Sequence, residues 1–288
     1  MLTAGAGEAR PLRVLVTGAG GQLGQELVRL PAEGAEVIGL SRAELDVADP
    51  HRCEEAVAGW RPDAVIHAAA YTAVDRAEAE PKEAYRVNAA GTGHMAAAAA
   101  RAGAKFIYVS TDYVFDGTQR TPYRETDAPN PQTVYGRTKL EGERLVRAAS
   151  DRWFIVRTSW VYGKYGGNFV HTMLKLADEK REIAVVCDQI GSPTYAKDLA
   201  AFLLRLVRTE KYGIFHASNA GCCSWYDFAC AIMEESGQAA SIRPCTTDRY
   251  PRPAPRPAYS VLDHQAALAN GFPPFRPWRE ALRDFLRS

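Results

Sequence analysis

The chain is predicted to be an α/β protein with a doubly wound, Rossmann-like parallel sheet and a smaller mixed C-terminal substrate lobe. Three observations predict this fold. Short apolar runs alternate with helical patterns up to about residue 160, a glycine turn follows the first run, and the alternation breaks down afterwards. Strands alternating with helices of this size indicate βαβ units, whose ligand sites lie at the carboxyl ends of the strands.

The individual elements follow from these patterns. In the first half we expect strands near 13–17, 35–40, 63–67, 105–109 and 153–157, and helices over 22–30, 50–59, 81–102 and 134–149. In the second half we expect strands over 183–187 and 213–216, and helices over 196–208, 225–236 and 278–286. These elements divide the chain into a flexible tail (1–11), a dinucleotide-binding domain (12–160) and a mainly substrate-binding lobe (161–288). Whether the chain crosses back from the lobe into the dinucleotide-binding domain is left open.

Composition narrows the functional classes. The 288 residues are 47% hydrophobic and carry a net charge of +1, which is not typical of nucleic-acid or membrane-surface binders. No apolar run approaches the ~20 residues of a membrane span, and the N-terminus lacks a signal-peptide core. The six cysteines have no metal-type spacing. We therefore expect a cytoplasmic protein with reduced thiols, no metal site, no nucleic-acid or membrane partner, and a homodimer as a candidate assembly.

A glycine turn after the first strand predicts a cofactor site. Its pattern is Gly-x-x-Gly-x-x-Gly, which permits a tight turn and a close approach to a pyrophosphate. The helix that follows points free N–H groups at the phosphates. The residues expected to contact the cofactor here are Gly18, Gly20, Gly21, Gln22, Leu23 and Gly24.

The end of the second strand predicts which dinucleotide binds. An acidic residue there binds a ribose 2′-hydroxyl, but this chain has Ser41 and Arg42, which suit a 2′-phosphate. NADPH is therefore favoured, and NADH use is left open. Asp46-Val47 resembles a pair that brackets adenine in related folds, and small residues after the third strand leave room for the dinucleotide. Those small residues are Ala68, Ala69 and Ala70.

Tyr135 and Lys139 are the candidate catalytic pair. Residues at i and i+4 share one helix face, where an ammonium stabilises a phenolate and lowers the pKa of the tyrosine. Thr111, at the end of the preceding strand, is placed to hold the substrate oxygen. Tyr-x-x-x-Lys alone is a weak signal. Following a strand-glycine-helix unit and a strand that ends in Ser-Thr, it becomes a strong one.

These residues carry a family resemblance. The glycine turn with Tyr135-x-x-x-Lys139 resembles the extended short-chain dehydrogenase/reductases. Longer strings resemble the dTDP-4-dehydrorhamnose reductases among them, over roughly residues 12–287. They are Gly21-Gln-Leu-Gly, His67-Ala-Ala-Ala-Tyr-Thr-Ala-Val-Asp-Arg-Ala-Glu, Val109-Ser-Thr-Asp-Tyr-Val-Phe-Asp-Gly, Arg157-Thr-Ser-Trp-Val-Tyr-Gly, Asp188-Gln-Ile-Gly-Ser-Pro-Thr and Arg256-Pro-x-x-Ser-x-Leu-Asp.

The resemblance implies hydride transfer from NADPH to the C4 carbonyl of a dTDP-linked 6-deoxy-4-ketohexose, a step of dTDP-rhamnose biosynthesis. It implies that Tyr135 protonates the alkoxide and that Lys139 also binds the nicotinamide ribose. Thr111 is then expected to bond the sugar oxygen. The further substrate-binding residues are Asp112 beside Thr111, Trp160 against the sugar and Arg256 as the candidate for the diphosphate. His67 departs from the Asn common in relatives and is interpreted as a packed histidine.

Several alternatives stay open. A sugar-nucleotide dehydratase usually has an Asp-Glu pair after the Ser/Thr, whereas this chain has Asp112-Tyr113. A 4-epimerase uses similar machinery, and a reductase of another dTDP-keto sugar would share it. A non-catalytic NADP-binding regulatory subunit, like the β subunit of methionine adenosyltransferase, has the same fold. The intact Thr111, Tyr135 and Lys139 set favours an enzyme.

Overall fold

The computed structural model describes residues 10–179 and 181–288. Most of the predicted N-terminal tail, residues 1–9, lies outside the described residues. The strands are β1 (Leu12–Thr17), β2 (Ala35–Leu40), β3 (Ala64–His67), β4 (Lys105–Thr111), β5 (Trp153–Thr158), β6 (Val161–Tyr162), β7 (Glu182–Val186), β8 (Ile190–Gly191), β9 (Thr194–Tyr195), β10 (Gly213–His216), β11 (Cys223–Ser224) and β12 (Ser241–Cys245).

The helices cover the sheet and build the second lobe. They are α1 (Gln22–Arg29), α2 (Pro50–Trp60), α3 (Val74–Ala79), α4 (Pro81–Tyr85), α5 (Thr92–Arg101), α6 (Val134–Ala149), α7 (Phe169–Glu179), α8 (Ala196–Leu206), α9 (Trp225–Ser236), α10 (Gln265–Ala269) and α11 (Trp278–Leu286). None of the helices in the described ranges combines the length and apolar character needed to cross a bilayer.

Six parallel strands form the central sheet in the order β10-β5-β4-β3-β1-β2. Both faces are buried: along β1, Val14 and Val16 pack with α8 on one side, while Leu15 packs with α2 and α5 on the other. The chain leaves β1 for β2 on one side and returns to β3 on the other. This change of direction places a crevice at the carboxyl ends of β1 and β3.

The predicted helix over 81–102 is interrupted. A π-helical turn, Arg86–Gly91, separates α4 from α5. The carbonyl of Asn88 accepts hydrogen bonds from the hydroxyls of Thr92 (2.8 Å) and Tyr108 (3.2 Å), and its side chain bonds both main-chain groups of Tyr71. Tyr71 and Tyr108 lie on other segments of the chain, so apolar periodicity does not reveal this widened turn. The Asn88 amide also donates to Thr138, next to Lys139.

The second lobe has its own apolar core. Strands β7 and β12 pair in parallel, and α7, α9 and α11 pack around them. Strand β10 returns to the central sheet beside β5, and α8 packs on that sheet next to α1. The loops after β4 and β5 face both the crevice at the ends of β1 and β3 and the second lobe.

Candidate active site

The glycine turn between β1 and α1 is fixed by contacts that exclude side chains. Gly18 has φ +70°, and a Cβ there would lie 2.7 Å from the backbone of Ala69. A Cβ on Gly24 would lie 2.2 Å from the carbonyl oxygen of Gly18. Helix α1 therefore starts close against the turn, with Gly21 at its N-cap. Its first N–H groups are available to an anion.

Most of the predicted site residues meet in one cavity of about 520 Å³. It runs from the glycine turn past the ends of β3 and β4 to α6 and the loop after β5. The predicted residues that line it are Gly18, Gly21, Gln22, Leu23, Gly24, Ala68, Ala70, Thr111, Asp112, Tyr135, Lys139 and Trp160. The motifs separated in sequence are therefore neighbours in space.

A smaller cavity of about 120 Å³ adjoins the same glycine turn. The predicted residues that line it are Gly18, Arg42, Asp46, Val47, Ala69 and Ala70, joined by Leu45, Tyr71 and Val87, which the sequence did not single out. Gly18 and Ala70 line both cavities. Gly20 and Ser41 stand beside each other, outside the walls of both, and a Cβ on Gly20 would lie 3.7 Å from the Ser41 Cβ.

Tyr135 and Lys139 lie on the first turns of α6. The helix is capped by Thr133, whose hydroxyl accepts the Gly136 N–H (3.0 Å). The Lys139 ammonium donates to the Val109 carbonyl (2.7 Å) and lies 4.1 Å above the ring of Tyr108. This anchors the ammonium to β4, one residue before the strand reaches Ser110 and Thr111.

The pKa of Tyr135 differs from the sequence expectation. Burial raises the pKa of the phenol, and the hydrogen bond with Thr111 opposes that rise only in part. Burial also lowers the pKa of Lys139 to about 7, so its own charge is disfavoured. The predicted lowering of the Tyr135 pKa by Lys139 is therefore wrong for this structure. A phenol with a raised pKa is protonated at neutral pH, the form that a proton donor requires.

Asp112 is a buried carboxyl beside Thr111. The residue is only 3% exposed; Oδ1 accepts the Thr111 hydroxyl (2.9 Å), and Oδ2 has no protein partner among the described residues. Burial raises the pKa of Asp112 to about 6, although hydrogen bonding, including that from Thr111, acts in the opposite direction. Asp112, Thr111 and Tyr135 thus form a continuous polar wall.

A buried charge network lies behind this wall and was not predicted from the sequence. The Glu143 carboxylate accepts the Ser110 hydroxyl (2.6 Å) and a bidentate pair from Arg157 (2.9 and 2.7 Å). The Arg157 and Glu143 side chains are 2% and 4% exposed. Glu143 also opposes the lowering of the Lys139 pKa. Glu143 follows Lys139 by four residues, a spacing that places both side chains on one helix face, and this was the sequence signal that could have revealed the network.

His67 is a packed residue, as the sequence interpretation held. Its ring nitrogens contact the hydroxyls of Thr17 (2.8 Å) and Thr92 (3.2 Å), and the ring stacks near Phe106 and Tyr108. Burial, assisted by the charge of Lys139, lowers the pKa of His67 to about 3. The ring is neutral at physiological pH and bridges β1 to α5 under the crevice.

A third cavity of about 410 Å³ adjoins the active site. It shares Tyr113 and Trp160 with the main cavity and is rich in aromatic and apolar side chains. Trp160, which has φ +48°, stacks on Trp225 with ring centroids 3.5 Å apart. The other aromatic and charged residues that line it are Phe169, Tyr250, Arg252 and Arg256. Trp225, Tyr250 and Arg252 were not predicted.

Arg256 lies in this third cavity rather than beside Tyr135 and Lys139. Its guanidinium donates to Asp75 (2.8 Å) and to the Ala254 carbonyl (2.9 Å), while the Ala254 N–H bonds the same aspartate (3.3 Å). Arg252 stands 3.8 Å from Asp75. Asp75, on α3, therefore holds both arginines of the Pro-rich segment at the cavity mouth.

Ser41 and Arg42, which were predicted to suit a 2′-phosphate, both lie beside acidic side chains. Ser41 donates from its hydroxyl (2.7 Å) and its main-chain N–H (2.8 Å) to Glu44. The Arg42 side chain is 82% exposed and lies 3.9 Å from Glu83.

Within residues 10–179 and 181–288, no cluster of three or more His, Cys, Asp or Glu side chains is arranged to hold a metal ion.

Comparison with known proteins identifies the family. A model of the RmlD substrate binding domain matches residues 12–288. The chain belongs to this family. It is 50% identical to the spore coat polysaccharide biosynthesis protein SpsK of Bacillus subtilis, over 96% of this chain and 97% of that protein. It is 47% identical to a dTDP-4-dehydrorhamnose reductase of Mycolicibacterium smegmatis, over 94% of this chain and 84% of that protein.

A solved structure supports the same assignment. The dTDP-4-dehydrorhamnose reductase of Bacillus anthracis, crystallised in complex with NADP, superposes with a TM-score of 0.94 at 42% identity. The alignment covers 96% of this chain and 99% of that one. The predicted doubly wound fold and the predicted family resemblance are both confirmed.

Proposed function

We propose that the chain reduces the C4 keto group of a dTDP-linked 6-deoxy-4-ketohexose, dTDP-4-dehydrorhamnose, with NADPH as hydride donor. One observation carries the proposal. Thr111, Tyr135 and Lys139 meet in a cavity that opens to the glycine turn at one end and to the aromatic, arginine-bearing cavity at the other. A dinucleotide and a nucleotide sugar thus have separate routes to the same reacting centre.

The residues present fit a dinucleotide. The turn at Gly18 and Gly24 leaves no space for side chains against the backbone, and the α1 N–H groups complement a pyrophosphate. The smaller cavity, lined by Asp46 and Val47, accommodates the adenosine end. Lys139 holds the nicotinamide ribose. When bound, the nicotinamide supplies a hydride to the carbonyl carbon of the sugar.

The protein supplies the proton. As C4 gains the hydride, its oxygen becomes an alkoxide and takes the phenolic proton of Tyr135, so the product is an alcohol. Thr111 bonds the same oxygen and orients it. The single hydroxyl proton of Thr111, which Asp112 Oδ1 accepts in this structure, turns to the sugar oxygen when the substrate binds. Trp160 packs against the sugar ring.

The third cavity suits the nucleotide part of the substrate. The stacked Trp160 and Trp225 offer a flat apolar surface, and Arg252 and Arg256 offer charge-assisted hydrogen bonds to a diphosphate. Asp75 pairs with both arginines and keeps them in place until a more highly charged ligand competes for them.

Arg256→Ala is expected to raise the KM for the dTDP-sugar by roughly ten-fold or more, because charge-assisted hydrogen bonds contribute about 1.5–3 kcal/mol. The affinity for NADPH should stay within two-fold. Steady-state kinetics and a dinucleotide titration measure the two effects. Arg243→Ala, at an exposed arginine paired with Glu182 on the outside of the lobe, is the matched control. Equal KM values for the two variants would remove Arg256 from the diphosphate site.

The substrate itself is tested by following NADPH oxidation with a panel of dTDP-4-keto sugars. Turnover with dTDP-4-dehydrorhamnose, and slower turnover with its analogues, is the expected result. A probable dTDP-4,6-dihydroxy-2-methyloxan-3-one 4-ketoreductase of Streptomyces antibioticus is 43% identical over 95% of this chain, which makes another keto sugar the second candidate. NADPH binding without turnover of any member would instead indicate a regulatory binding subunit.

We also propose a cytoplasmic location and a homodimeric assembly for the chain. A cytoplasmic homodimer without nucleic-acid or membrane partners is consistent with the nearly neutral charge of the chain. Sedimentation of the purified protein measures the assembly.

A further inference from the structure

Glu44 occupies the two hydrogen-bond donors that face the end of β2. Its Oε2 accepts both the Ser41 hydroxyl (2.7 Å) and the Ser41 main-chain N–H (2.8 Å). The turn is closed by the N–H groups of Glu44 (3.1 Å) and Leu45 (2.9 Å), which donate to the Ser41 carbonyl. Hydrogen bonds from Ser41 lower the pKa of Glu44, so the carboxylate is ionised at neutral pH.

This corner is where a doubly wound fold discriminates a 2′-phosphate from a 2′-hydroxyl. Arg42 lines the adjoining 120 Å³ cavity and is the nearest candidate cation for a phosphate. The charged groups around the corner are Arg42, Arg52, Arg86, Glu44, Asp46 and Glu83.

These charges are not equally neutralised. Arg86 pairs with both Glu83 (2.7 Å) and Asp46 (3.1 Å), whereas Arg52 reaches only the main-chain carbonyl of Glu44 (2.8 Å). Among the described residues, no cation lies within ion-pair distance of the Glu44 carboxylate. A full negative charge therefore stands on the two Ser41 donors at the end of β2.

We propose that Glu44 sets the selectivity between NADPH and NADH. Its carboxylate competes with a 2′-phosphate for the two donors of Ser41, and the two anions repel each other. A ribose 2′-hydroxyl meets no such competition, because it can donate to the carboxylate. The inference rests on the proposed dinucleotide function and is independent of which sugar is reduced. Glu44 thereby takes the role of the acidic residue that binds a ribose 2′-hydroxyl at the end of the second strand, where this chain has Ser41 and Arg42.

Two variants separate this role from simple support of the turn. Glu44→Gln retains an amide oxygen that accepts both Ser41 donors but removes the charge, whereas Glu44→Ala removes both. Glu36→Gln, at the opposite end of β2, is the matched control for loss of one surface charge; Glu36 pairs with Arg13. Glu44 is exposed, so none of these changes is expected to prevent folding.

The measurement is the Kd of NADPH and of NADH, by fluorescence titration of the full chain at low and high salt. We expect Glu44→Gln to tighten NADPH binding by roughly three- to ten-fold, the repulsion of a carboxylate and a phosphate a few ångströms apart near water, with NADH changed less than two-fold. High salt should reduce the gain. Glu36→Gln should leave both constants unchanged.

Three results would overturn the proposal. An NADPH-to-NADH ratio that Glu44→Gln leaves within two-fold of the original means that the charge does not discriminate. Equal weakening of both dinucleotides by Glu44→Gln and Glu44→Ala means that Glu44 only supports the turn. In both cases the reductase function stands. Failure of the unmodified chain to bind either dinucleotide would overturn the proposed function as well.

Discussion

Tyr135→Phe is expected to lower kcat by about 10²–10⁴-fold, the usual contribution of a positioned general acid. The phenol is protonated at neutral pH because burial raises its pKa, and the phenylalanine has no proton to give. The ring itself is retained, so the Kd of NADPH should stay within a few-fold. Single-turnover kinetics with a fluorescence titration separate the two quantities.

Tyr162→Phe is the control for loss of a phenol. The Tyr162 hydroxyl is buried without a hydrogen-bond partner among the described residues and does not line the 520 Å³ cavity that contains Tyr135. This variant should keep near-normal turnover. Similar kcat values for the Tyr135 and Tyr162 variants would show that another group donates the proton.

Glu143→Gln is expected to destabilise the fold by about 3–5 kcal/mol, the usual effect of removing one partner from a buried ion pair. Arg157 would be left 2% exposed without a counter-charge, and Ser110 would bond a weaker acceptor. Urea unfolding measures the change in the free energy of unfolding. The pair supports the strand ends that carry Thr111 and Thr158, so activity should be lost at lower urea as well.

The double variant Glu143→Met/Arg157→Met tests the physical cause. Replacing a buried ion pair by apolar side chains of similar volume is often neutral, so the double variant should recover most of the lost stability. Glu141→Gln breaks an exposed pair with Arg144 and should cost no more than about 1 kcal/mol. A single Glu143→Gln variant as stable as Glu141→Gln would contradict the assignment.

Local patterns were sufficient for the long elements of the first half. β1, α1, β2 and α6 begin and end close to the predicted residues because each carries its own periodicity or glycine and capping signals. The two-residue strands β6, β8, β9 and β11 were not predicted. Such short strands are defined by a partner elsewhere in the chain, and no local pattern records that pairing.

The sequence by itself determined the parallel sheet, the glycine turn and the meeting of Thr111, Tyr135 and Lys139. Parallel strands bring their carboxyl ends to one edge, so residues at those positions become neighbours whatever their separation along the chain. Only the tertiary structure decided the partners of the charged groups. Arg256 pairs with Asp75, 181 residues away, and Arg157 pairs with Glu143 across the α6–β5 contact.

Electrostatic partners require distances and burial, which residue types do not specify. Burial raised the pKa of Tyr135, although the spacing to Lys139 predicted the opposite. The Ser41 side chain, expected to be available to a phosphate, donates to Glu44 three residues later because the chain turns there. Local periodicity therefore determines the fold class, whereas the charge states of the site residues depend on contacts that exist only once the chain has folded.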